Sequence, residues 1–142
     1  MAGGKDSGLG DWGRLFLRVV VGMGIMTHGY PKVFGVNDDG VRRIVTFTQG
    51  VADMGFPYPQ YFAWAAALSE FAGGALLVLG LGTRVASFMI AGTMVVAMYQ
   101  SRAKGWDGIE LAALYLASAV FLLLNGPGKK SLDALLFKRK GG

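Results

Sequence analysis

Apolar residues run along this chain in four long blocks separated by short polar or glycine-containing joints. The first covers residues 12–34 (WGRLFLRVVVGMGIMTHGYPKVF), with Arg14 and Arg18 near one end and His28 and Lys32 near the other. Pro31 stands where a helix is expected to kink or stop. The second block covers 58–82, the third 84–102, with an uncharged interior between Arg84 and Arg102, and the fourth 106–125, ending at Gly126-Pro127-Gly128. A helix needs about 20 residues to cross hydrocarbon, so each block predicts a spanning helix. The first is interrupted by Arg18 and is longer than the apolar core of a leader, so a retained helix is expected rather than a cleaved signal.

Residues 35–57 join the first two blocks. Val41, Ile44, Val45, Thr48, Val51 and Ala52 recur there at helical spacing, while Arg42, Arg43, Gln49 and Asp53 fall mostly elsewhere on the wheel. That pattern predicts a short helix lying at the membrane interface. Pro57-Tyr58-Pro59 opens the second block, with proline suited to a first turn. The later joints, GLGTR (80–84) and AKG (103–105), are short enough to force antiparallel neighbours. The expected architecture is therefore all-α: one membrane domain over residues 1–142, a four-helix bundle running up-down-up-down. Beyond the GPG stop, Ser131 is placed to cap a helix carrying Leu132, Leu135, Leu136 and Phe137, which predicts an amphipathic tail over 129–140.

Composition agrees with a membrane setting. Hydrophobic residues make up 53% and charged residues 16%, against about 25% charged in soluble domains; mean hydropathy is +0.44. The 23 glycines have no period of three, and glycine is common in spanning helices. Absence of cysteine excludes disulfides, thiolate metal sites and cysteine nucleophiles. The net charge of +5 could suit nucleic acid, but Lys129, Lys130, Lys138, Arg139 and Lys140 all follow the last block. A basic tail beside apolar helices is suited to anionic lipid instead, and no nucleic-acid partner is expected. Lys5, Arg14, Arg18, Arg84 and those five lie on one side of such a bundle, against Lys32, Arg42, Arg43, Arg102 and Lys104 on the other. The inequality predicts cytoplasmic termini. A faint internal repeat pairs the stretches after Arg14 and Arg84, and those after Glu70 and Glu110.

Ionisable groups within spanning segments are costly and usually face the bundle interior. At about 1.5 Å per residue, Glu70 falls near mid-membrane, with His28, Glu110 and Gln100 closer to the outer boundary. Arg18 enters from the cytoplasmic end as a partner for Glu70. Ala63, Ala66, Ala67, Gly73 and Gly74 lie on or beside the Glu70 face, a seam of small residues that shelters the carboxylate from lipid. Two readings stay open. Either Glu70 fixes helix register, or Glu70, His28 and Glu110 form a proton-exchanging site beside a quinone carbonyl or along a proton path. Catalytic candidates are thus Glu70, His28 and Glu110; candidates for holding a cofactor are Arg18, Glu70, Gln100 and Arg84. GPGKKS lacks phosphate-loop spacing, GMG (22–24) lacks a dinucleotide-binding context, and no metal site is expected.

The order and spacing of RLFLRVVVGMGIMTHGYPKVFG (14–35), GFPYP (55–59), ALSEFAGGALLVLGLGTRVAS (67–87) and ELAALYLASAVFLLLNGPGKKSLDALL (110–136) resemble the DoxX family of small four-helix membrane proteins. The resemblance implies a bacterial or archaeal inner membrane and a link to redox chemistry, since a related subunit belongs to a thiosulfate:quinone oxidoreductase. Glu70 and Arg84 match the family's pattern in helix two and its turn; His28 stands where many relatives carry other residues. The expected function is a membrane subunit of an oxidoreductase complex, touching quinone between its helices, with protein partners and an oligomer both open. The alternatives are a small carrier for protons or a solute, and an assembly scaffold.

Overall fold

The computed structural model describes residues 6–137, and every regular element among them is helical. In chain order these are α1 (Asp6–Phe34), α2 (Arg43–Asp53), α3 (Pro59–Leu79), α4 (Thr83–Ser101), a single 3₁₀ turn (Arg102–Lys104), α5 (Trp106–Asn125) and α6 (Leu132–Phe137). Lys5, Lys138, Arg139 and Lys140, counted above for orientation, and the end of the expected tail lie outside the described residues. The helices α3 and α5 are each long and apolar enough to cross a membrane.

Glycine determines how closely α1 and α3 pack. A Cβ on Gly22 would stand 2.6 Å from the Gly74 carbonyl oxygen, and one on Gly74 would stand 2.6 Å from that of Gly22. One face of α1 further along, Gly29 lies against the Glu70–Phe71 backbone with no room for a side chain. Backbones therefore meet directly, the arrangement small residues permit between apolar helices. The neighbouring Gly73 faces the other way, toward Ile90 of α4. Consecutive glycines thus serve two partners of α3. The pairs 22/74 and 29/70 fix α1 antiparallel to α3, and the joint between Leu79 and Thr83 is short enough to turn α4 back along α3. Pro31 neither stops α1 nor ends its hydrogen bonding: the helix runs to Phe34, and the Gly35 amide donates to the Pro31 carbonyl (2.8 Å).

Two separate apolar clusters result. Val21, Ile25, Leu77, Ala86, Ile90, Met94, Ala119 and Leu122 join α1, α3, α4 and α5. Val33, Ile44, Val51, Ala63 and Ala67 join α2 to the far ends of α1 and α3. Residues 35–42 make the link between α1 and α2 as a tight reversal, with Gly40 at φ +76° and a lone bridge between Val36 and Arg42.

At the opposite end a clasp forms. Helix α3 stops where Gly80 turns left-handed, its amide reaching Leu77 and that of Leu81 reaching Leu76, the double bond pattern of a glycine C-cap. The chain after α5 returns to this turn. Asp133 accepts from the Gly82 amide (2.7 Å) and the Thr83 amide (3.0 Å), capping α4. The hydroxyl of Ser131 accepts from the Ala134 amide (3.1 Å), capping α6. Asp11 of α1 accepts from the Lys129 amide (3.0 Å).

Two outcomes test this packing. Gly74→Val, forced against the Gly22 carbonyl, should cost about 1–3 kcal/mol, the usual range for overpacking, read by thermal unfolding in detergent. Gly92→Ala on α4, whose Cβ would meet nothing within 4 Å, should cost nothing in the same assay. Asp133→Ala should cost about 0.5–2 kcal/mol through loss of the α4 cap, with faster hydrogen exchange at Gly82 and Thr83.

Candidate functional site

Antiparallel packing brings Lys32, one helical turn past Gly29, beside Glu70. Its ammonium donates to both carboxylate oxygens, at 2.8 and 2.7 Å. Glu70 is 2% exposed, while the Lys32 side chain keeps 28% of its surface. The lysine therefore forms the accessible side of the pair. An ammonium has three N–H donors, and two are used on Glu70. Lys32 also lies 4.5 Å from the centre of the Phe47 ring, a cation–π contact from α2. An isolated charge at this place would be expensive, and pairing with good geometry is what makes a buried carboxylate tolerable.

The pair borders a cavity of about 250 Å³ between α2, α3 and α4. Its walls are mainly apolar, with Phe47 and Val51 on one side and Phe88, Met89 and Val96 on the other. Ser69 and Thr93 also line it, but their hydroxyls donate back to Ala65 (2.6 Å) and Met89 (3.0 Å) within their own helices. Gln100 borders the cavity where its amide nitrogen lies near Gly50. Gly92 leaves the middle of the α4 wall open, since a side chain there would enter free space.

The other expected residues are distributed differently. Arg18 does not approach Glu70. It is fully buried at the clasp, where Nη1 donates to the Leu77 carbonyl (3.2 Å) and Nη2 to the Lys130 carbonyl (2.5 Å). The physical reason is register: antiparallel packing sets Arg18 level with residues 77–80, and fourteen residues of α1 place it about 21 Å from Lys32. Asp133 supplies Coulombic attraction to this guanidinium. Arg84 is exposed at the same end, beside Gly126. His28 is exposed on the α5 side of α1, edge-on to Tyr115 with ring centres 6.0 Å apart. Glu110 is exposed on α5 and is not part of the cavity wall. The cavity thus unites Glu70 with Gln100, collects Arg18 and Arg84 elsewhere, and includes neither His28 nor Glu110. Among the described residues no group of three His, Asp or Glu side chains could hold a metal ion.

Lys32 is not among the expected site residues; the sequence counts it only toward orientation, near the end of the first block. The available signal was glycine spacing: matching Gly22 and Gly29 against Gly74 and Glu70 in antiparallel register places Lys32 at the carboxylate.

The DoxX family profile matches residues 13–101. The provisionally named oxidoreductase CatD of Bacillus subtilis is 28% identical over 130 residues, covering 90% of each chain. A membrane protein of Mycobacterium tuberculosis is 30% identical over 138 residues, covering 87% of this chain and 80% of its own. The inner membrane protein YqjF of Escherichia coli is 29% identical over 136 residues, covering 92% of this chain and 97% of its own. No solved structure matches significantly. The profile covers more than half of the chain and these relatives most of it, and the chain belongs to the DoxX family of membrane proteins.

Proposed function

We propose that this protein is a four-span, inner-membrane subunit of a redox complex whose cavity takes the head group of a lipid-soluble quinone. The observation that carries the reading is the Lys32–Glu70 pair presented to a small, otherwise apolar cavity. Ligand sites are typically apolar hollows with a few placed polar groups. At about 250 Å³ this one suits a substituted ring more than a long chain. Lys32 would donate to a ring carbonyl, Phe88, Met89 and Val96 would flank the ring, and the exposed edge at Phe88 would let an apolar tail leave toward lipid. A bound quinone supplies two-electron redox capacity. The chain's part is to orient the carbonyl, hold the ammonium in place through its two bonds to Glu70, and exclude water.

The outer surfaces of α1 and α4, together with the apolar α3 and α5, support a reading with four spans. Phe16, Val20 and Met23 on α1, and Val85, Phe88 and Val95 on α4, are exposed. Contiguous apolar surface of this kind needs cover, and acyl chains provide it. In that setting α2 lies at the interface opposite the clasp. The basic residues Arg14, Arg84, Lys129 and Lys130 favour a cytoplasmic position for the clasp. The oxidoreductase name of CatD supports the redox assignment. The carrier reading is less favoured, because buried Val21, Ile25, Leu77 and Ile90 fill the interior between the polar ends.

Binding of a short-chain quinone to the purified protein should saturate. Gly92→Leu, which fills the cavity from an open position, should weaken binding at least tenfold without lowering thermal stability. Undiminished binding by this variant would exclude the cavity. Lys32→Met strands a buried carboxylate and should cost about 3–5 kcal/mol. Lys32→Met combined with Glu70→Gln should recover much of that loss yet still bind poorly.

A further inference from the structure

The clasp gathers cations from three parts of the chain. Arg14 of α1 lies against Gly128, with its Cδ 3.2 Å from where a Cβ would stand, and Arg84 of α4 lies 3.5 Å from the equivalent point at Gly126. Lys129 and Lys130 belong to the same loop. Arg14 and Lys129 line an open groove of about 500 Å³ at this end together with Asp11 and Asp133, while Arg84 lines the hollow that adjoins it at Asp133 and Phe137, and both carboxylates are already engaged. Asp133 is held by the Gly82 and Thr83 amides, and Asp11 by the Lys129 amide and the Arg14 guanidinium (3.3 Å). Counting Arg84 and Lys130 at its flanks, four cations stand against two committed anions, an excess of the sign that the single negative charge of a phosphodiester offsets.

The surroundings favour an amphiphile. Lys130 stacks over the Trp12 ring, 4.1 Å from its centre, and Trp12 is exposed, as aromatic side chains at a membrane interface are. Leu135, Leu136 and Phe137 of α6 are also exposed, and Phe137 forms part of the groove wall. Cations on one side and apolar side chains on the other match a phosphate joined to acyl chains. We infer that this end binds the head group of an anionic phospholipid, held by Arg14 and Lys129 in the groove and by Arg84 and Lys130 at its flanks, with its chains passing beside α6. The same loop supplies the Lys130 carbonyl to buried Arg18. Lipid occupancy therefore tightens the contact that holds α1 to the far end of the chain.

The experiment uses the full chain in neutral detergent, titrated with short-chain phosphatidylglycerol, phosphatidylcholine and glycerol 3-phosphate, read by Trp fluorescence and native mass spectrometry. Phosphatidylglycerol should saturate and bind well above the other two. A lysine beside an anionic lipid surface contributes roughly fivefold in affinity, so Lys129→Ala with Lys130→Ala should weaken binding roughly thirtyfold. The backbone bonds of both residues remain available in this variant, which should fold. Arg102→Gln with Lys104→Gln, at the other end, should change little. Equal binding of phosphatidylcholine, or equal losses from both double variants, would overturn the site. Glycerol 3-phosphate binding as tightly as the lipid would make it a free-phosphate site. Failure of phosphatidylglycerol to saturate would overturn the lipid reading and leave this face to a soluble acidic partner.

Discussion

The close approach of α1 and α3 is the constraint on which the other contacts depend. With a carbonyl oxygen of each helix occupying the place of a side chain on the other, the pair has little freedom to slide or rotate. Everything charged on α1 is then positioned by count along the helix. Lys32 falls beside Glu70, and Arg18 falls beside the open carbonyls where α3 ends. A shift of one residue would turn each of these side chains about 100° around the helix, away from its partner. Packing of the smallest residues thus determines the chemistry of the largest.

The two cations illustrate different solutions to one problem. Lys32 meets a full opposite charge and retains some exposure, an arrangement compatible with contacting a further group. Arg18 is fully buried and meets carbonyl oxygens, with Asp133 acting electrostatically. A planar fork with five donors can serve several fixed acceptors, whereas an ammonium is a compact charge whose three donors turn freely, here toward both oxygens of one carboxylate. The first arrangement belongs to a cavity and the second to a joint, although from composition alone both are charges within apolar helices.

Much of the helical layout was legible because its signals are local. Apolar blocks, short joints, Pro59 at a first turn and the Gly126-Pro127-Gly128 stop all act within a few residues of where they stand. Ser131 as a cap is equally local. Partners of buried charges were less legible because they depend on rotation and register between distant segments. Glu70 was recognisable as a sheltered carboxylate from the small residues around it. Its pairing with Lys32 in place of Arg18 required knowing that Gly22 meets Gly74. His28 and Glu110 lie at plausible depths yet on other faces. Depth along a helix can be counted from sequence, while azimuth is fixed only by the neighbour against which it packs.

The clasp also sets an order of events during synthesis. Arg18 is made early, but the Lys130 carbonyl that receives one of its donors comes 112 residues later. At translation rates of about 5–20 residues per second, that acceptor arrives roughly 6–22 seconds afterwards. Until then the guanidinium must be served by water, lipid phosphate or the insertion machinery. The surroundings of Arg18 are therefore complete only after α5 and the loop behind it have been made.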